Sequence, residues 1–322
     1  MSEPAVVEAE LSALPPDLVP ERLTPSFYFD FEAHPFEHEE LFKPASSVVD
    51  VLERIHGYIN DWLQTKYENP HCAELTSLPN TCKVVGGRPC ILGDPLAVFS
   101  PDVLIGALGG RVLPPGHAVF VGPGVQVLGG TFDIRGGGID LGECAVVEPG
   151  AHIAGPAIIG PGTVLRSGAY VRGDAIVGGH CVLRGELKNV VIMDHAELAH
   201  PSYAGDSIIG HRGHFGCQAV TANLGLFGGE LSVDLPVAEE GVEGAPASPV
   251  TRYKLGRQKM GVVLGDGGQL GCSAVADPGT LLGPRTHVYP LTRLCSGCYG
   301  PDEIIKNKPM ESGVVTREPM RS

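Results

Sequence analysis

Basic residues are scarce in this chain: 23 Lys and Arg stand against 37 Asp and Glu, a net charge of −14. A surface that holds a polyanion carries the opposite sign, so nucleic acid is not an expected partner. No stretch of 18 or more apolar residues occurs, so no membrane span is expected. The opening MSEPAVVEAELSALPPDLVPE is acidic and Pro-rich. It lacks the basic start and apolar run of a signal peptide and the Arg-rich character of a transit peptide. The nine cysteines are odd in number and scattered. They read as reduced thiols of a cytoplasmic protein rather than a disulfide framework. Cys295-Ser296-Gly297-Cys298, a lone CxxC without a second pair, reads as two ordinary thiols.

What the chain has in excess is Gly and Pro, 45 and 28 of its 322 residues. That is about twice the usual combined share of roughly 12%. Both are poor helix formers, which disfavours a mainly helical fold. With 43% hydrophobic residues and a mean hydropathy of +0.10, the chain is too apolar to stay unfolded. An all-β architecture that turns often and regularly reconciles the two.

The period bears this out within the sequence. Leu141, Val147, Ile153, Ile159, Leu165, Val171, Val177 and Leu183 recur every six residues without a break. After a phase shift come Ile192, Leu198 and Ala204, then Ile209, Phe215 and Thr221; Leu264, Leu270, Ala276, Leu282 and Val288 resume the spacing later. A hexapeptide period is the signature of a parallel β-helix, whose inward aliphatic positions stack coil on coil. The expected organisation is a lead-in over 1–80, a β-helix over 81–292 and a C-terminal tail over 293–322. Within the lead-in, Val48, Val51, Leu52, Ile55, Ile59, Trp62 and Leu63 mark one amphipathic helix over 46–66. Ser47 with Asp50 is its capping start and Asn69-Pro70 its stop. The chain's only Trp lies on the apolar face of this helix.

The insertion at 224–258 interrupts the repeat and must leave the solenoid as a loop. Its first part is acidic, with Glu230, Asp234, Glu239, Glu240 and Glu243, and reads as mobile. Its end, Arg252, Lys254, Arg257 and, just beyond, Lys259, is basic, and calls either for a local anion or for a solvated patch. Five histidines, His180, His195, His200, His211 and His214, fall in one window of the solenoid. They read either as a metal site or as one catalytic base among bystanders. No paired spacing among them indicates three or four converging ligands.

The segments Glu186-Leu187-Lys188-Asn189, Ala199-His200-Pro201-Ser202-Tyr203-Ala204-Gly205-Asp206, Thr221-Ala222-Asn223 and Gly256-Arg257-Gln258-Lys259 carry a resemblance. Their order and spacing, over about residues 115–292, resemble the left-handed β-helix acetyltransferases that act on hexosamine 1-phosphates. Among these, the chain resembles the C-terminal domain of bifunctional sugar-1-phosphate nucleotidylyltransferase/acetyltransferases. The left hand of the helix and a homotrimer with sites between neighbouring chains are implied by this resemblance alone. So are acetyl-CoA as co-substrate, a sugar phosphate as acceptor and a separate nucleotidylyltransferase as partner, with no metal. By the same resemblance His200 is the general base, oriented by Asn223. Glu186, Lys188, Tyr203 and Lys259 line the sugar-phosphate cleft, and Cys217, Arg257 and Cys272 stand where the thioester and coenzyme A would approach. The role for His200 is chemically sensible, because an imidazole titrating near pH 6.5 can take the proton from an amino-sugar ammonium. Two other functions are compatible with the same solenoid. One is a non-catalytic sugar-nucleotide-binding or assembly protein. The other is a γ-carbonic-anhydrase-like metalloenzyme with three His across a subunit interface.

Overall fold

Val146, Val164 and Val182 stand in register on adjacent parallel strands, each 18 residues after the last, three hexapeptides per coil. The computed structural model describes residues 6–68, 83–85, 91–93, 98–99, 103–106, 117–237, 249–308 and 314–319. It is a parallel β-solenoid of about ten turns with few helices. Each coil has three short strands, one per face of a prism. One coil, for example, runs through Val146–Val147, His152–Ala154 and Ala157–Ile159. The eight unbroken six-spaced aliphatics, Leu141 to Leu183, all point inward and are 0–1% exposed. Each such burial stabilises by about 1.5–3 kcal/mol before chain entropy is counted.

Backbone hydrogen bonds stack one corner of the prism into a column: Cys144, Gly162, His180, His195, Arg212, Gly267 and Arg285. All seven have positive φ, from 53° at Arg285 to 66° at Gly267. Glycine takes this left-handed conformation without steric cost, yet other residues fill most of the column. That is why glycine alone does not keep a strict period.

The third face is apolar on both sides. Ile158, Ile176, Val191, Ile208, Val263 and Leu281 point outward from it and are buried, 0–2% exposed. The cover is the chain's own N-terminal region, through Leu23, Tyr28, Phe29, Leu41, Val48, Leu52, Ile55 and Ile59. Within the lead-in, residues 11–41 form short 3-10 turns and a single helical turn. The long helix is Val51–Glu68, with the Ser47 N–H donating to the Asp50 carboxylate at 2.8 Å just before it. Its proposed stop at Asn69-Pro70 lies outside the described residues. Trp62 lies on this helix and donates its indole N–H to buried Asp140 at 2.8 Å.

The insertion is not structureless where it is described. Ser232–Pro236 pairs antiparallel with Val250–Lys254, which in turn pairs parallel with the N-terminal strand Val6–Glu10. Glu239, Glu240 and Glu243 lie outside the described residues. At the other end, regular coils continue past residue 292. Arg293–Leu294, Gly297–Tyr299 and Glu303–Lys308 each stack in parallel on the preceding coil, and Val314–Pro319 closes antiparallel on the last.

Candidate functional site

Two strands differ from the rest by running straight through a corner. Glu186–Ile192 and Tyr203–Ile209 pair in parallel over six positions, with Glu186 opposite Tyr203 and Lys188 opposite Gly205. Each turns the corner on one residue, Asn189 (φ 51°) and Asp206 (φ 48°). Elsewhere this corner takes a longer detour, such as Gly155-Pro156 between Ala154 and Ala157. Asn and Asp are the side-chain-bearing residues that best tolerate left-handed backbone, so the sequence permits the tight turn there. The consequence is that functional groups on successive coils stack directly.

Asp206 is the centre of that stack and is 6% exposed. Its Oδ1 accepts from Asn189 Nδ2 at 2.8 Å and lies 3.9 Å from Lys188 Nζ. Its Oδ2 accepts from Asn223 Nδ2 at 2.5 Å. Its backbone carbonyl accepts from Gly261 N–H at 2.8 Å, which returns the chain to the solenoid after the insertion. Tyr203 is half-buried with its hydroxyl beside the Asn223 amide. Burial, then the Asp206 and Glu186 charges, raise its pKa. A side chain at Gly205 would collide with the Tyr203 hydroxyl, so this Gly keeps the cleft open.

The remaining predicted residues are distributed around this corner. Glu186 is ion-paired with Arg172 at 2.6 Å on the same face. His200 is exposed at the preceding corner of the coil that carries Tyr203. Beside it, Arg166 Nη1 donates to the Ala199 carbonyl at 3.3 Å. Arg166, Arg184 and Ala199 form one backbone-bonded row on successive coils, so two arginines stand at the positions equivalent to the residue before His200. Within one chain Asn223 donates to Asp206, and no hydrogen bond joins it to His200 among the described residues. Lys259 bridges backbone to backbone with Leu224, which brings both ends of the insertion to the cleft. Its side chain is exposed. Cys217 (half-buried) and Cys272 (exposed) occupy successive coils, the Ser273 N–H donating to the Cys217 carbonyl at 2.8 Å.

Arg257 is placed elsewhere. Its side chain is 12% exposed, donating to the Val49 carbonyl at 3.1 Å and facing Glu53 at 3.3 Å. The folded-back insertion turns it toward the start of the long helix instead of the open cleft. The rest of the basic run is also neutralised internally: Arg252 pairs with Asp234, and Lys254 with Glu8 and Glu10. The expected anion for this cluster is therefore supplied largely by the chain itself, and Lys259 is the member whose backbone adjoins Asn223 and Leu224 while its side chain is exposed.

The other histidines stack instead of converging. His180 lies 5.2 Å from His195 and His34 lies 4.2 Å from His211, ring centroid to centroid, both nearly parallel. His214 faces Glu197 at 3.7 Å. Among the described residues no three His, Cys, Asp or Glu side chains form a group that could hold a metal ion. Sequence reasoning assigned no role to Asp206, Arg166, Arg172 or Arg184. For Asp206 the signal was present: an acidic residue inside the otherwise apolar and small Ala204-Gly205-Asp206-Ser207-Ile208-Ile209 strand.

The coil repeat and this polar corner define a hexapeptide-repeat solenoid with a cleft of amide, phenol and cationic groups. No protein-family model matches the chain. It is similar to the bifunctional protein GlmU of Methanococcus maripaludis, 33% identical over 101 residues, 31% of this chain and 21% of that protein. It is also similar to GlmU of an Exiguobacterium species, 27% identical over 182 residues, 51% of this chain and 36% of that one. A third relative is the bifunctional sugar-1-phosphate nucleotidylyltransferase/acetyltransferase of Sulfurisphaera tokodaii, 31% identical over 105 residues, 33% of this chain and 23% of that one. The matches thus span between about a fifth and a third of each relative's length. The solenoid is consistent with a hexapeptide-repeat acetyltransferase domain.

Proposed function

We propose that the chain is an acetyl-CoA-dependent N-acetyltransferase acting on a hexosamine 1-phosphate. The observation that carries this reading is the convergence of Lys188 and Asn223 on the buried Asp206 carboxylate, with Tyr203 beside Asn223, on the coil that holds His200 and its two neighbours. The names of the similar proteins support the acetyl-transfer class. Lys188, Arg166 and Arg184 offer cationic donors for a sugar phosphate in a chain that is otherwise strongly acidic. Tyr203 and the Asn223 amide offer hydrogen bonds to sugar hydroxyls.

An amino sugar is largely an ammonium near neutral pH and attacks a thioester only as the free amine. His200, exposed at the rim, takes that proton as general base. The amine then attacks the acetyl carbonyl of the thioester, and the thiol of coenzyme A leaves. Cys217 and Cys272 mark the corner over which the thioester arm runs. A homotrimer in a cytoplasmic setting completes the reading: His200 meets Asn223 and Lys259 of a neighbouring copy. A separate nucleotidylyltransferase then consumes the acetylated sugar phosphate.

The test is thiol release from acetyl-CoA by purified protein with glucosamine 1-phosphate or galactosamine 1-phosphate. Release well above that of His200→Ala supports the reading. Release no higher than His200→Ala with both sugars overturns it, and calorimetric binding without turnover would then mark a non-catalytic sugar-binding protein.

A further inference from the structure

The groups proposed to hold the substrate meet on a residue with no role so far. A carboxylate can only accept hydrogen bonds. Asn189 and Asn223 must therefore both turn their NH2 groups toward Asp206, at 2.8 Å and 2.5 Å. For Asn223 this choice has a consequence, because the two ends of a carboxamide are otherwise interchangeable in shape. With Nδ2 committed to Asp206, its Oδ1 is left as the acceptor on the cleft side. An acceptor there can take an imidazole N–H, a sugar hydroxyl or an ammonium proton, whereas an NH2 group cannot. The same carboxylate lies 3.9 Å from the Lys188 ammonium. Its own freedom is small: it is almost fully buried, its backbone sits at φ 48°, and its carbonyl is tied to Gly261.

We infer that Asp206 is a positioning residue of the transfer site, whose charge fixes the amide orientation of Asn223 and holds the Lys188 ammonium over the cleft. The inference rests on the cleft being the transfer site proposed above. Asp206 does not touch the reacting atoms; it acts through Asn223 and Lys188.

The discriminating substitution is Asp206→Asn. It keeps the size and the tolerance for left-handed backbone, but the new side chain can donate as well as accept. Four proteins are compared: wild type, Asp206→Asn, Asn223→Ala and the double variant. Steady-state rates are measured with acetyl-CoA and the sugar phosphate that the wild type uses. Asp206→Asn is expected to lower kcat/KM for the sugar phosphate by about tenfold or more, with KM for acetyl-CoA unchanged. On the Asn223→Ala background the same change is expected to cost several-fold less, because only its hold on Lys188 remains to be lost. An equal fold-loss on both backgrounds, accompanied by a lower unfolding temperature, marks a merely structural residue and overturns the inference.

A second measurement needs no activity. Solvent exchange of the Asn223 side-chain amide protons, assigned by their absence in Asn223→Ala, is followed by NMR in wild type and Asp206→Asn. Exchange at least about tenfold faster in Asp206→Asn is expected, as for a group that loses a charged acceptor. Unchanged exchange overturns the inference. A wild type that transfers no acetyl group defeats the proposed function, while the exchange rates still decide whether Asp206 controls Asn223.

Discussion

The indole N–H of Trp62 donates to Asp140 Oδ2 at 2.8 Å, which joins the N-terminal helix to a solenoid strand 78 residues away. Lys66, one turn later, reaches the same oxygen at 2.6 Å, and Asp140 is 3% exposed. A buried carboxylate with two donors from another element acts as a specific latch. Asp140→Ala leaves the indole donor without its partner and is expected to cost about 2–3 kcal/mol. Because the chain has one Trp, its fluorescence reads this docking directly. A red-shifted emission and a lower denaturation midpoint are expected. An unshifted emission would mean that helix docking does not depend on the latch.

His38 supplies a pH dependence to the same contact. It is 1% exposed, packs edge-on against Trp62 and lies 3.1 Å from the Tyr58 hydroxyl. Burial first, then the Lys66 charge, lowers its pKa to about 4. The unfolded chain, with an ordinary imidazole near pH 6.5, therefore binds the proton more readily than the folded one. Stability contributed by neutral His38 is full above about pH 6.5 and is lost as pH falls toward 4. Within that window the slope is about 1.4 kcal/mol per pH unit. Denaturant titrations at pH 7 and pH 5, in wild type and His38→Gln, measure it; the slope should be shallower in the variant. Equal slopes would assign the acid sensitivity to other groups.

Gly261 is where the chain re-enters the solenoid, and its N–H holds the Asp206 carbonyl at 2.8 Å. A Cβ there would overlap the Gly205 carbonyl and the Ser207 hydroxyl, which are core atoms without room to retreat. Gly261→Ala is expected to cost about 1–3 kcal/mol by overpacking. If the proposed transfer site is right, it should also shift Asp206 and so lower acetyl transfer more than a distant substitution of equal stability cost. Comparing its kcat with that of Phe215→Leu, a core change away from the corner, separates the two effects.

Much of the solenoid is legible in the sequence because inward positions are chemically simple: they are small or aliphatic and repeat every six residues. The covered third face is legible only in hindsight. Ala157-Ile158-Ile159, Ala175-Ile176-Val177 and Val262-Val263-Leu264 are apolar at every position. By contrast, His152-Ile153-Ala154 and Tyr170-Val171 put polar or amphipathic groups outward. An all-apolar strand is buried on both sides, but nothing in the local pattern says that residues 11–63 provide the cover. The tight corner escaped for a related reason. A one-residue turn appears in sequence only as a phase slip, and the meeting of Asn189, Asp206 and Asn223 depends on two such slips in succession. Arg257 shows the opposite limit, since its charge is readable while its burial against Val49 and Glu53 depends on the insertion folding back.

Cys217 and Cys272 provide the last test, because in the proposed reading they mark the donor side of the cleft and not the acceptor side. They occupy successive coils at one corner, and at least one is exposed. Thiols respond to alkylation in proportion to access and thiolate character. If the thioester arm runs over this corner, iodoacetamide should abolish acetyl transfer by occupying its path. Acetyl-CoA at roughly ten times its Kd should slow that inactivation about tenfold, the ratio set by mass action on the free site. The variant Cys217→Ala/Cys272→Ser should retain transfer after the same treatment, although exposed Cys144 and Cys295 remain to be alkylated. Inactivation of that variant at the wild-type rate, with no protection by acetyl-CoA, would place the arm over a different corner of the prism.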